Sequence, residues 1–296
     1  MKKNYIVVTG GAGFIGSNLI RYFLNKTMLN IISLDNYSTG RKQNEIKNKR
    51  VRYIKSDTKN ISKILNLYKK KIHSLFHFGE FSRIYQSFLN MSTCINSNTI
   101  GSNEVFNFCL LNNIKLIYSA TSASFGNNGN DKNLSPYAFT KAKNLELLEN
   151  LKKWFSFKFE IIYFYNVYGP NQIKRGNMAT VIGIFENQFK DKKPLSVVRP
   201  GSQNRRFTHV MDTIETCYEA WKKNKCRHYS ISHKESYSII AVARMFGGSI
   251  KFLPSRKGER YASALTGMNL SNKVYKRFGK INLKNYISNI VKNSVK

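Results

Sequence analysis

The stretch "YIVVTGGAGFIG", residues 5–16, decides the fold. An apolar, β-rich run opens into glycines at 10, 13 and 16, and the helical pattern "FIGSNLIRYFLN" (14–25) begins at once. Glycines at this spacing close ordinary loops too. Between a strand and a helix, however, they allow a tight turn, let backbone approach a pyrophosphate, and let the helix pack on the strand. The helix N-terminus would then face the phosphates with its partial positive charge. Asp35 ends the next apolar run, "IISLD", about 20 residues further on. An acid there accepts hydrogen bonds from an adenosine ribose and repels a 2′-phosphate, which favours NAD over NADP; Arg41, in "NYSTGRK", is the nearby cation that opposes this. Asp57, ending "VRYIKSD", fits an adenine contact and an N-terminal helix acid equally well.

Outward from the glycine turn, short β-rich runs alternate with longer helical patterns. "VRYIKSD" leads to the helical "ISKILNLYKK", then to "SLFHFG"; a long helix over roughly 95–113 leads into "IKLIYSA"; and "YAFTKAKNLELLENLKKW" leads into "FEIIYFYNVYG". This order predicts βαβ units and a Rossmann-type, doubly wound parallel sheet over residues 1–168. After "VYGPNQ" the elements shorten: a helix near "MATVIGIFENQFK", a strand "LSVV", a helix "DTIETCYEAWKKN" and a closing helix "LKNYISNIVKNSV". Residues 169–296 therefore read as a smaller α/β substrate domain, with the chain crossing back to the first domain around 200–235.

Length and composition bound the function. A chain of 296 residues with 42% apolar content can bury a large core. No run approaches the roughly 20 apolar residues of a membrane span, so no membrane insertion is expected. The lysines before "YIVV" imitate a signal peptide, but the apolar run is short and opens into glycine; a buried first strand is the better reading. Four scattered cysteines and five scattered histidines have no metal-ligand spacing, and the cysteines suit a reducing cytoplasm. The formal charge of +33 would draw in anions. Its lysines are dispersed without an Arg-rich block or basic tail, so a solvated basic surface and an anionic small substrate are expected rather than nucleic acid.

The stretch "SPYAFTKAKN" carries the chemistry. Ser135 is a good N-cap and Pro136 a good first helical residue, which puts Tyr137 and Lys141 four apart on one helix face. A free tyrosine, with pKa near 10, is a poor base at neutral pH. A neighbouring ammonium and an oxidised nicotinamide favour its phenolate, and lowering the pKa by about three units takes roughly 4 kcal/mol of differential interaction.

With these pieces the chain resembles an extended short-chain dehydrogenase/reductase of the nucleotide-sugar epimerase/dehydratase kind, most like the UDP-hexose (UDP-glucose or UDP-GlcNAc) 4-epimerases. The matching motifs run in order through "TGGAGFIG", "LDNYSTG", "FHFGEFSR", "NTIGSNEVF", "SATSASFG", "SPYAFTK", "YNVYGP", "RRFTHVMD" and "SRKGER". The resemblance implies an NAD-dependent enzyme with Tyr137 as acid/base, Lys141 as its partner and as a holder of the nicotinamide ribose, and Thr121 hydrogen-bonded to the reacting hydroxyl. It implies a cofactor set of Gly10, Gly13, Phe14, Ile15, Gly16, Asp35, Asn36, Asp57, Phe78, Gly79 and Asn98 beside Tyr137 and Lys141. Ser82, Arg83, Ser122, Asn166, Arg205 and Arg256 would meet the nucleotide sugar. It also implies a homodimer formed by the helices near 92–112 and 136–155.

Two departures stand out. Glu80 follows Gly79 where the family usually keeps small residues, and it is expected to pair with Arg83 rather than touch substrate or cofactor. Arg206 stands where the family often has aspartate. The resemblance also bears on the outcome: a 4,6-dehydratase would carry Asp-Glu directly after the threonine, and a decarboxylase commonly a glutamate. Here Thr121 is followed by Ser122 and Ala123, which leaves 4-epimerisation through a transient 4-keto sugar as the expected reaction. Ser263, a small residue after the late arginine, is expected to leave room for an N-acetyl group. The competing readings are another nucleotide-sugar outcome (reductase, dehydratase or decarboxylase) and a non-catalytic RNA-binding or regulatory relative, which would be expected to lose the Tyr/Lys pair.

Overall fold

Along each strand of the main sheet, apolar side chains point to both faces in turn, so the sheet can be buried only between two layers of helix. The computed structural model describes residues 3–123, 131–257 and 274–295. Strands β1 (Tyr5–Thr9), β2 (Asn30–Asp35), β3 (Val51–Lys55), β4 (Ile72–His77), β5 (Lys115–Thr121) and β6 (Phe159–Phe164) follow the predicted runs. Helices α1 (Phe14–Lys26), α2 (Ile61–Ile64), α3 (Ile84–Leu89), α4 (Met91–Ile95), α5 (Ser102–Leu111) and α6 (Pro136–Phe155) connect them. Beyond β6 lie β7 (Val167–Tyr168), α7 (Val181–Lys190), β8 (Leu195–Val198), β9 (Asn204–Arg206), β10 (Thr208–His209), α8 (Val210–Lys223), β11 (His228–Ser232), β12 (Ser236–Ser238), α9 (Ile239–Phe246), β13 (Ile250–Leu253), β14 (Val274–Phe278) and α10 (Leu283–Val295).

Eight strands form one sheet in the order β14-β11-β6-β5-β4-β1-β2-β3, every pair parallel. Ile6, Val8, Ile31, Phe76, Ile117 and Ile162 face one way, onto Leu19, Ile20 and Phe23 of α1 and Ile214 and Cys217 of α8. Val7, Ile32, Leu34, Leu75, Leu116 and Ile161 face the other way, onto Val105, Phe106 and Cys109 of α5 and Leu148 of α6. This is the expected doubly wound arrangement. After β10 the chain re-enters this body: α8 covers one face, and β11 and β14 extend the sheet beyond β6. A third core gathers Ile182 and Phe185, Leu195 and Val197, Val242 and Phe246, and Leu283 and Ile287. Beside it stand the small sheets β8–β13, β7–β10 and β9–β12. No helix among the described residues is long and apolar enough to cross a membrane.

Two helical expectations need correction. "ISKILNLYKK" yields one turn of α-helix, α2; once Ile61 and Leu65 are buried, the backbone leaves the helix through a turn closed from Tyr68 N–H to the Leu65 carbonyl. The long helix near 95–113 is two α-segments, α4 and α5, joined by a π-helical turn at Asn96–Gly101. Within that turn, Gly101 leaves space that a side chain would fill: a Cβ there would lie 2.3 Å from Thr58 Oγ1.

At the sheet's N-terminal edge, buried Lys115 on β5 meets buried Glu160 on β6, Nζ to Oε1 3.0 Å. Lys115 also donates to the Ala220 and Trp221 carbonyls, and Glu160 accepts from the backbone N–H groups of Cys226 and Arg227. The pair thus ties β5 and β6 to the return from α8 into β11. Breaking one side of a buried pair leaves an uncompensated charge. Glu160→Ala is expected to lose roughly 3–5 kcal/mol in urea unfolding, with Glu160→Gln losing less.

Candidate active site

The strand order reverses at β1, with β2 and β3 on one side and β4, β5 and β6 on the other. Loops leaving the C-terminal ends of β1 and β4 therefore diverge and open a crevice, which is where ligands bind in open parallel sheets. The backbones meet closely there. Gly10 has φ +70°, and a Cβ on it would lie 2.9 Å from Gly79 N. A Cβ on Gly16 would lie 2.2 Å from the Gly10 carbonyl oxygen. Gly13 caps α1 with no side-chain hydrogen bond, so the first N–H groups of α1 have no side-chain partner. Asp35, buried at the end of β2, accepts from Ala12 N at 2.9 Å and from Tyr37 N at 2.8 Å, and burial raises its carboxyl above the usual range. A bare helix start, a glycine-rich turn and a buried carboxylate form a cradle that fits the adenosine diphosphate half of NAD.

A cleft of about 1180 Å³ runs from this turn across the sheet ends. It brings together nearly every expected residue: Gly10, Gly13, Phe14, Ile15, Gly16, Asp35, Asn36, Asp57, Phe78 and Gly79 toward the glycine turn, and Ser82, Arg83, Thr121, Ser122, Tyr137, Lys141, Asn166, Arg205 and Arg256 beyond it. Asp57 serves as the cap of a short 3-10 turn, accepting from Lys59 N, while its other oxygen takes Asn36 Nδ2. Asn166 sits at φ +36° and donates to the Arg206 carbonyl. Arg206 itself turns to the carbonyls of His233 and Lys234, which explains why a cation is tolerated there. Arg256 lies over the Tyr85 ring, 5.3 Å from its centroid.

Asn98 is the exception among the expected cofactor residues. It is fully buried behind the cleft wall, its Oδ1 accepting from Phe81 N at 2.7 Å and its Nδ2 donating to the Phe81 carbonyl. Its place on the π-helical turn turns it inward, so it holds the loop after β4 from behind. Ser263 and the glycine of "SASFG", Gly126, lie outside the described residues.

The capping expectation at α6 holds: the Ser135 hydroxyl accepts from Ala138 N at 3.1 Å, with Pro136 at the first helical position. Thr121 ends β5 with Oγ1 accepting from Ala123 N. Lys141 is buried and donates to the Ser119 carbonyl and to Glu80 Oε2. Here Glu80 corrects its expectation. It does not pair with Arg83, whose guanidinium donates to the Met178 carbonyl across the cleft. Ser102 Oγ, Tyr118 OH and Asn144 Nδ2 donate to Glu80 as well. Sequence reading missed Ser102, Tyr118 and Ser119. Asn144 had a signal, since Tyr137, Lys141 and Asn144 share one face of α6 at i, i+4 and i+7.

The strand-end polar groups form a directed chain. Thr9 Oγ1 accepts from Phe78 N and Gly79 N, so its own proton goes to His77 Nδ1 at 2.7 Å. That leaves the His77 proton on Nε2, facing Ser102 Oγ at 3.0 Å, and Ser102 donates onward to Glu80. Burial pushes the His77 pKa down to about 4, with Lys141 adding to the shift and Glu80 opposing it.

Residues 6–232 match the model of the NAD dependent epimerase/dehydratase family, and the chain belongs to it. An ADP-L-glycero-D-manno-heptose-6-epimerase of Brachyspira hyodysenteriae is 28% identical over 80% of this chain and 79% of its own. A UDP-glucose 4-epimerase of Thermotoga maritima, solved with UDP-glucose, superposes with a TM-score of 0.85 at 20% identity, covering 99% of this chain and 100% of its own. A dTDP-glucose 4,6-dehydratase of Streptomyces venezuelae, solved with NAD, gives 0.86 at 19% identity, covering 97% and 96%. The two solved structures share the fold across different reactions.

Two outcomes follow from the cradle and the polar chain. Gly16→Ala must displace the glycine turn, so NAD binding by calorimetry is expected to weaken about tenfold or more while the far-UV spectrum is kept. His77 is held neutral in the fold with its pKa near 4 but takes up a proton at about 6.5 when unfolded. The unfolded state thus binds more protons between those values, and stability falls as pH drops through that window, by on the order of 3 kcal/mol in all. Urea unfolding from pH 7 to 4 is expected to show that slope, and His77→Gln to flatten it.

Proposed function

We propose that this member of the NAD dependent epimerase/dehydratase family is a nucleotide-sugar 4-epimerase acting on a UDP-hexose or UDP-N-acetylhexosamine. The observation that carries the reading concerns carboxylates. Among the described residues lining the cleft, the acids are Asp35, Asp57 and Glu80. The first two stand at the adenosine end, and Glu80 is committed to Lys141 and its other donors. Eliminating water from a sugar needs an added acid and base near the leaving hydroxyl. The positions following Thr121 provide Ser122 and Ala123 instead.

NAD, when bound, supplies a hydride acceptor and donor for a redox-neutral cycle. Tyr137 takes the proton of the sugar's C4 hydroxyl and returns it after the 4-keto sugar has turned over in the pocket. Thr121, at the end of β5, hydrogen-bonds that hydroxyl and sets its distance from Tyr137. Lys141 keeps one ammonium N–H for the reacting end, its others being held by Glu80 and Ser119. Arg83, Arg205 and Arg256 line the cleft together with Asn166 and supply the cations that a diphosphate needs. The exposed apolar side chains Met91, Ile95 and Ile100, with Phe139 on α6, support pairing of two copies through these helices.

Product analysis by NMR and mass spectrometry, over UDP-, GDP-, CDP- and dTDP-sugars and an ADP-heptose, tests the reading. A C4-inverted UDP-sugar of unchanged mass is expected, and loss of water from the product would overturn it. Tyr137→Phe is expected to lower kcat by about 10²–10⁴-fold; undiminished turnover would remove Tyr137 from the mechanism.

A further inference from the structure

A buried carboxylate bonded to the lysine that partners the reacting tyrosine is an unusual element in this cleft. Glu80 and Lys141 are almost wholly enclosed, with side-chain exposures of 2% and 4%. The carboxylate is also built in. Its Oε1 accepts from Ser102 Oγ at 2.8 Å, Tyr118 OH at 3.0 Å and Asn144 Nδ2 at 3.2 Å, and its Oε2 takes the Lys141 ammonium. Those donors come from α5, β5 and α6, and Ser102 is oriented in turn by His77 and Thr9 of β4 and β1. A carboxylate needed only to neutralise a buried lysine would not require a frame drawn from five elements.

We propose that Glu80 is a positioning residue that sets both the direction and the effective charge of Lys141. With one N–H on Glu80, one on the Ser119 carbonyl and the Tyr118 ring 4.5 Å from Nζ, the ammonium is held in one place and keeps a single N–H uncommitted to an oxygen acceptor. The ion pair is neutral as a whole, so the field it exerts on the Tyr137 phenol is much weaker than that of a lone lysine. Glu80 thus decides how much of the Lys141 charge reaches Tyr137, four residues earlier on the same face of α6. This rests on reading Tyr137 as the acid/base.

The surrounding charges do not replace this control. His77 on β4 is neutral, Tyr118 on β5 is held well above the usual phenol range by burial and by Glu80, and Cys94 on α4 is pushed up to about 11. Arg83, on the loop after β4, is a further cation that interacts with Tyr137; burial lowers it and the phenol opposes that shift. Arg83 remains in every variant below, so differences among them report the Glu80–Lys141 pair.

The test reads the Tyr137 phenolate directly, by ultraviolet difference titration of the NAD-loaded protein without substrate, with Tyr137→Phe identifying the band. Glu80→Gln leaves the ammonium unpaired and is expected to move the Tyr137 titration about one to two pH units down. Glu80→Gln combined with Lys141→Met removes both charges while keeping an amide for Ser102 and Tyr118. That variant is expected to titrate within about half a unit of the unaltered protein, as neutral replacement of a neutral pair should. An unmoved or upward titration in Glu80→Gln overturns the proposal. So does a clear upward move in the double variant, which would mean that the lysine charge had not been cancelled. The titration needs no turnover, so a failure of the epimerase reading in the product assay leaves this result standing on its own.

Discussion

Between the ends of β1 and β4 there is no room for a side chain. A Cβ on Gly10 would lie 2.9 Å from Gly79 N, and one on Gly79 would lie 2.9 Å from Gly10 N. What holds the two backbones at this distance is Thr9, whose hydroxyl accepts from both Phe78 N and Gly79 N. The reversal of strand order opens the crevice, and Thr9 fixes its floor. From that floor the polar groups are ordered outward through His77 and Ser102 to Glu80, and through Glu80 to the lysine on α6. A substitution at Thr9 or Gly79 would therefore disturb the nucleotide cradle and the Tyr/Lys face together.

Most of this frame was legible in the sequence because its signals are local. A glycine turn between a strand and a helix, an acid closing the second strand, and Ser-Pro-Tyr opening a helix each depend on neighbours in the chain, and all appear where expected. What was missed depends on contacts across long separations. Ser102 meets Glu80 from 22 residues away, and Asn144 meets it from 64. The expected Glu80–Arg83 pair shows the same limit in reverse. Sequence proximity suggested it, but Arg83 finds the Met178 carbonyl, 95 residues on, and leaves the carboxylate to the lysine. The inward turn of Asn98 has a related cause, since nothing local in "NTIGS" announces a π-helical turn.

The charge imbalance has a structural counterpart. With 16 acids against 49 basic side chains, carboxylates are scarce, and the buried ones act as hubs. Glu160 joins Lys115 to two backbone N–H groups, Asp212 accepts from Lys280 N and Ile281 N, and Asp35 holds Ala12 and Tyr37. The excess lysines need no such explanation, because an exposed lysine costs little and its long stem can lie along apolar surface. The positive field they create favours the arrival of anions in general.

That scarcity bears on which reaction the cleft can run. Glu80 is the one carboxylate among the described lining residues near the Tyr/Lys face, and it could serve as a proton donor only if it were first protonated. Protonation would cancel its charge beside a buried ammonium and strand Lys141 without a counter-ion. It would also leave Glu80 accepting hydrogen bonds from Ser102, Tyr118 and Asn144 with a weaker acceptor. The same contacts that make Glu80 useful to Lys141 disqualify it as the acid of an elimination. A carboxylate at Ser122 or Ala123 would face no such bar, and the chain has none there. The acid at 80 and the missing acid after Thr121 thus both support the proposed 4-epimerisation, in which one phenol would take the hydroxyl proton and return it.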